Sequence, residues 1–216
     1  MSTSYNEITG RSLERIAALS DGVFAIAMTL IVLEIGVPEI RGIHTDGELW
    51  TALLNLGPRF VTYFLSFLTL GIFWNGQQTQ LHHFARANRH LAWIHLAFLA
   101  SVALMPFSTS FLAEFISFRL ALLLYWLNLA LLGVILYASW AYARRAGLVR
   151  DDVDRDVDGA IKRRITAYQI AYAVAAGLCF LPSIAGFPST YVSIGLIVLT
   201  QLNSAVAPRI PYLSRF

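Results

Sequence analysis

The segment Gly22-Val-Phe-Ala-Ile-Ala-Met-Thr-Leu-Ile-Val-Leu-Glu-Ile-Gly-Val37 carries one charged side chain, Glu34, in sixteen residues. Its apolar residues cover every face of a helix, which is the pattern of a buried or membrane-spanning element rather than a surface one. A helix needs about 20 mainly apolar residues to cross a bilayer. The span therefore has to begin earlier, and we place it at about 12–37. The basic lead-in imitates a secretory signal. However, Asp21 and Gly22 open the run, Glu34 interrupts its end and Pro38 follows without a small-residue cleavage site. We expect the segment to be retained.

Five further apolar stretches follow, at roughly Phe60–Ile72, Leu91–Leu112, Leu120–Ala143, Ile165–Ile184 and Tyr191–Val206. With their margins they give spans of about 56–78, 91–112, 120–143, 164–185 and 190–207. Only 13% of the 216 residues are charged, where a soluble domain carries about 25%. The chain reads as one all-α integral membrane domain with six transmembrane helices per subunit. Thirteen of the sixteen Lys and Arg residues lie before the first stretch, in the even-numbered gaps or in the tail. Only Arg41, Arg59 and Arg119 lie on the other side. Cytoplasmic segments carry the excess of Lys and Arg, so both termini are expected in the cytoplasm and the protein in the cell membrane. The same asymmetry accounts for the basic balance, which leaves nucleic acid without a role and fits contact with anionic lipid. Cys179 is the one cysteine, so no intrachain disulfide forms.

Between the spans, Glu39–Gly57 is rich in turn residues and reads as an outer loop, and Arg144–Arg164 is the longest polar stretch. Trp50, Trp74, Trp93, Trp126 and Trp140 sit near expected span ends, as interfacial aromatics do. Ala167, Ala171 and Ala175 offer a small-residue stripe for close helix approach. Asp154-x-Asp156-x-Asp158-Gly159 copies the start of a Ca²⁺ loop, but Ile165 stands where the bidentate Glu belongs. A solvated acidic turn before a helix is the better reading. His82, His83 and His90 gather between the second and third spans, where water or lipid satisfies them. Glu34 and Glu114 read as an interfacial and a loop carboxylate. We find no phosphate cradle, catalytic triad or paired-carboxylate site, and expect no metal, no cofactor and no enzyme.

The opening of the first span holds the most specific pattern. Arg15-Ile-Ala-Ala-Leu19-Ser20-Asp21-Gly22 puts a carboxylate close to the lipid core, where a charge is expensive. Ser20 or Asp21 could cap the helix start. The segment also resembles the first-helix signature Arg-x-x-x-Phe-Ser-Asp-Gly of prokaryotic relatives of the lysosomal potassium channel, the transmembrane protein 175 family. Arg15, Ser20, Asp21 and Gly22 are in register, and Leu19 replaces the Phe. Phe73-Trp74, Trp93 and Pro106-Phe107-Ser108-Thr109 extend the likeness. Where members often carry Asn-His-His, this chain has Gly76-Gln77-Gln78. The resemblance implies a potassium-permeable homotetrameric cation channel with a central pore lined by the first helix. It implies that Ile26, Leu30 and Leu33 form the hydrophobic constriction and that Thr29 is associated with selectivity.

Helical spacing adds an independent expectation. With Ile26 at zero, Leu30, Leu33, Val37, Gly22 and Leu19 all fall within about 40° of it, and Thr29 at about −60°. Asp21 falls at about −140° and Ser20 at about 120°, almost behind that stripe. If the stripe faces a shared axis, Asp21 points into its own subunit. There it should hold the first helix to basic or polar groups on other helices, with Arg86, Arg89, His82, His83 and His90 as candidates. The competing reading is a secondary transporter that uses Asp21 as a proton- or cation-coupled carboxylate.

Overall fold

The structure is a computed structural model that describes residues 13–38, 43–184 and 186–206. Among them are helices α1 (Leu13–Leu33), α2 (Asp46–Asn55), α3 (Gly57–His83), α4 (Arg89–Ala103), α5 (Met105–Glu114), α6 (Arg119–Arg145) and α7 (Arg155–Gly177). A 3-10 turn, Leu178–Phe180, and a two-residue hairpin of β1 (Ser183–Ile184) and β2 (Phe187–Pro188) lead into α8 (Ser189–Val206). Among the described residues, the regular structure is helical apart from that hairpin. Three helical rods are long and apolar enough to cross a membrane: α1, α4 with α5, and α6. A fourth is added if α2 and α3, bent by 44° at their junction, count as one.

Each expected span overlaps an observed helix, with instructive departures, and α7 lies eight to nine residues earlier than the expected 164–185. The first helix stops at Leu33, not Val37. Gly36 then turns the chain with φ +65°, a left-handed conformation that glycine adopts without a Cβ penalty. The expected outer loop 39–57 contains α2. Thr45 Oγ1 accepts from Glu48 N, and Glu48 Oε2 accepts from Thr45 N and His44 N. This is a reciprocal capping box that satisfies otherwise orphaned donors at a helix start. The third span is broken at Leu104, because Pro106 lacks the N–H that would bond back to Val102 and its ring crowds that carbonyl.

The apolar core gathers where α1, α3, α4, α5 and α6 meet. Phe24, Ala27 and Ile31 bury one face of α1, with the Phe24 and Phe98 rings 6.0 Å apart and Phe73 6.4 Å from Phe98. A second cluster, with Leu81, Phe84, Leu91, Trp140 and Leu148, closes the end where α3 stops and α4 begins. Trp140 is therefore fully buried rather than interfacial, and its Nε1 donates to Asp158 Oδ1 at 2.7 Å. The alanine stripe is also not the close approach it promised to be, since Ala167 is exposed and only Ala175 of the three is buried. The tight contact is at Gly133, where a Cβ would collide with the Gln169 side chain, whose amide donates to Leu129 O at 3.2 Å.

The bundle interior is unusually polar for a lipid-embedded fold. Thr62, Ser66, Thr69, Gln77 and Gln80 run down one buried face of α3. The Tyr125 hydroxyl lies 3.0 Å from Thr69 Oγ1 and accepts from Ser66 Oγ at 3.3 Å. Thr109 Oγ1 donates to Ser66 Oγ at 2.7 Å, and Gln201 Nε2 donates to Thr69 Oγ1. Without a hydrophobic drive between helices in lipid, such interhelical bonds supply part of the cohesion.

Candidate functional site: the uncovered face of the first helix

Helix α1 has two faces of opposite fate. Ser20, Phe24, Ala27 and Ile31 are buried against the rest of the protomer. Ile26 is 60% exposed, Leu30 43% and Leu33 71%. Leu19, Gly22, Ala25 and Thr29 are exposed with them. Among the described residues, no helix covers this apolar strip. Val37, past the helix end, does not continue it. Thr29 Oγ1 donates to the carbonyls of Ile26 at 2.8 Å and Ala25 at 3.1 Å. Its proton is thus committed to its own helix, and its lone pairs remain for whatever faces the strip.

The signature residues lie inside α1, not at its start, so neither Ser20 nor Asp21 is a cap. Ser20 is buried and donates to Ile16 O at 2.8 Å. Asp21 Oδ1 accepts from Trp74 Nε1 at 2.8 Å and Gln78 Nε2 at 2.7 Å. Trp74 and Gln78 are one turn apart on α3, so both donors rise from the same helical face. Asp21 does join α1 to polar groups of another helix, but the expected partners are wrong. Arg86 donates to Gly147 O at 3.4 Å, the His82 and His83 rings meet edge to face, and His90 packs on Tyr142. Long cationic chains looked like natural partners for a carboxylate. The register between α1 and α3 instead presents two neutral N–H donors. Arg15 is exposed on the first turns of α1, and nothing stands within 4 Å of a Cβ placed at Gly22.

The other end of α1 is also tied. Arg59 Nη1 donates to Ile35 O at 3.2 Å, and Arg59 Nη2 pairs with Glu114 Oε2 at 2.9 Å. Glu114 is thus a partner to Arg59 rather than an idle loop acid. Glu34 lies half-buried in the turn after α1. The Asp154–Gly159 segment is not a Ca²⁺ loop. Asp154 stands at the N-cap position of α7 without a side-chain cap bond, and Asp156 and Asp158 occupy the first turn. Asp158 is taken up by Trp140, by Lys162 at 3.0 Å and by Arg144 at 3.6 Å. Partial burial pulls the Asp158 carboxyl upward. The hydrogen bonds from Lys162 and Trp140, with the charges of Lys162 and Arg144, outweigh it and hold the carboxyl below its usual range.

Known proteins are similar to this chain. The family described as endosomal/lysosomal potassium channel TMEM175 matches residues 15–106, which take in most of α1, the Asp21 partners Trp74 and Gln78 and the break at Leu104. The chain is 34% identical over 190 residues to a protein from Streptomyces collinus described as a potassium channel, covering 86% of this chain and 89% of that one. It is 31% identical over 196 residues to one so described from Chamaesiphon minutus, covering 89% of this chain and 93% of that one. The crystal structure of a lysosomal potassium-selective channel TMEM175 homolog from Chamaesiphon minutus superposes with a TM-score of 0.77 at 28% identity, covering 90% of this chain and 96% of that one. With such likeness across nearly its whole length, this helical membrane protein belongs to the TMEM175 family.

Proposed function

We propose that the protein is a potassium-permeable cation channel whose conduit is lined by α1 from four identical subunits. The family is one of ion channels, not of enzymes. The observation that carries the reading is the uncovered strip Ile26–Leu30–Leu33 on a helix whose opposite face is buried. One protomer supplies one such strip. Cyclic closure of identical copies sets the same patch around an axis. There the rings of Ile26, Leu30 and Leu33 narrow and dewet the path, which is how apolar constrictions gate. Thr29, beside them, offers hydroxyl oxygens to a partly dehydrated ion. K⁺ surrenders water less reluctantly than Na⁺, so a narrow apolar ring favours it. No Thr-Val-Gly-Tyr-Gly carbonyl filter exists in the chain, so the preference should be weaker than a carbonyl cage provides.

In this reading the whole chain is one channel domain. Six rods cross the bilayer: α1, α3, α4 with α5, α6, α7 and α8. Both termini face the cytoplasm and the protein resides in the cell membrane, as the Lys and Arg distribution requires. Single-channel recording of reconstituted protein tests it. Leu30→Ala should raise unitary conductance or open probability, and Thr29→Ala should lower the K⁺ over Na⁺ ratio. Unchanged conductance and ion preference in both variants removes the strip from the permeation path. Saturable, coupled exchange without unitary currents would instead mark a carrier acting through Asp21.

A further inference from the structure

The junction of α3, α4 and α6 encloses four buried polar side chains that the conduit reading does not use: Gln77, Gln80, His95 and Ser139. All are at least nine-tenths buried, at 0%, 1%, 2% and 2% exposure. Gln77 Nε2 lies 3.0 Å from His95 Nδ1, and Ser139 Oγ lies 3.3 Å from His95 Nε2. Gln80 Nε2 donates to Leu136 O at 3.0 Å. The Phe84 ring stands edge-on to the imidazole. Two strong acceptors are left over. Gln77 Oε1 and Gln80 Oε1 are buried and have no hydrogen-bond partner among the described residues. Residues three apart on a helix share a face, so Gln77 and Gln80 rise from the same buried side of α3. A buried acceptor left bare costs on the order of 1–3 kcal/mol, and folded proteins almost always satisfy such groups.

We propose that this junction is a binding site for one water molecule, which donates one O–H to Gln77 Oε1 and the other to Gln80 Oε1. A buried water needs two or more polar partners, and the site supplies them. The same arrangement fixes the imidazole. Because Gln77 donates through Nε2, His95 Nδ1 is the acceptor, the ring proton sits on Nε2, and Nε2–H donates to Ser139 Oγ. The guest is not the permeant ion. A dehydrated K⁺ takes a shell of carbonyl oxygens, and only two amide oxygens here are uncommitted. A rival arrangement has no guest. The Gln77 amide turns over, its oxygen accepts from Nδ1–H, and its NH₂ is aimed at Gln80 Oε1. The two arrangements predict opposite histidine tautomers.

Two measurements on the full-length assembly decide between them. The first is ¹⁵N NMR of histidine-labelled protein in lipid nanodiscs, with the His95 signal identified by its loss in His95→Gln. The Nε2–H tautomer is expected, and the Nδ1–H tautomer overturns the assignment. The second is a high-resolution structure in K⁺ and again in Tl⁺. One peak within about 3 Å of both amide oxygens is expected, equal in the two salts and lost in Gln80→Met. No peak in the unsubstituted protein, a peak that strengthens in Tl⁺, or a peak that survives Gln80→Met overturns it. Where Gln80→Met does not fold, the tautomer and the two-salt comparison decide alone. Neither measurement reads ion flux, so this site and the α1 conduit stand or fall separately.

Discussion

At the scale of single residues, Asp21 shows how far spacing alone reaches. Its angular distance from the Ile26 strip turns it away from that strip, and its carboxylate, though exposed, does join another helix there. The partners were not legible, because they depend on how far α3 slides along α1. Sequence spacing does not encode that shift between two helices. The family pattern drew attention to histidines at this position, and Gln78 occupies it with a neutral donor. Hydrogen bonds to a charged group are worth about 1.5–3 kcal/mol each. A double-mutant cycle of Asp21→Ala with Gln78→Ala, read by thermal unfolding in detergent, should therefore give a coupling of about 1 kcal/mol or more. Additive effects would show that the 2.7 Å contact contributes nothing to holding α1. The stripe itself was weakly legible, since every face of α1 is apolar. Only the packing of Phe24, Ala27 and Ile31 separates the buried side from the free one.

At the scale of elements, helix existence was largely written in the sequence and helix interruptions less so. The Thr45-x-x-Glu48 pattern does announce the start of α2, but its Asp and Gly residues read more strongly as a turn. Thr45→Ala should cost about 1 kcal/mol locally, seen as faster amide exchange in the first turn of α2. Unchanged exchange would mean that tertiary contacts hold that turn. Gly133→Ala should push the Gln169 side chain out of its seat and break its bond to Leu129 O. Overpacking of this kind costs about 1–3 kcal/mol, and an unaltered melting temperature would show that the seat is soft. Asp158 ties the start of α7 to Trp140 and Lys162. Its folded carboxyl titrates below the unfolded one. The stabilisation is therefore complete above the unfolded value of about 4 and disappears as pH falls through the lower folded value. Asp158→Asn should flatten the acid limb of the stability profile, and an identical limb would exclude this residue as its source.

At the scale of the whole molecule, the six apolar stretches anticipated where along the chain helices lie. What they could not foretell is the polar interior. Ser66 and Thr69, Tyr125, and Gln201 stand far apart in sequence and meet only when three elements pack. Tyr125→Phe removes one hydroxyl from that network without changing its volume. The loss should be about 0.6–1.7 kcal/mol, the range of interhelical bonds in membranes. Equal stability would mean that Ser66 and Thr69 satisfy each other. The assembly is a sharper test. Native mass spectrometry of the detergent-extracted protein should give four times the 24.0 kDa chain. A stable single copy would leave the strip on α1 without the neighbours that make it a conduit.

The Arg59 clamp has a mechanical meaning. It grips the turn after α1, and Asp21 grips the helix near its middle. An exposed ion pair such as Arg59–Glu114 contributes only about 0–1 kcal/mol, so it restrains without welding. A rod held near its middle and just past one tip, and bare along the flank between the two holds, flexes most readily in the half that lies between them. The residues that travel furthest in such a flexure are Ile26, Thr29 and Leu30.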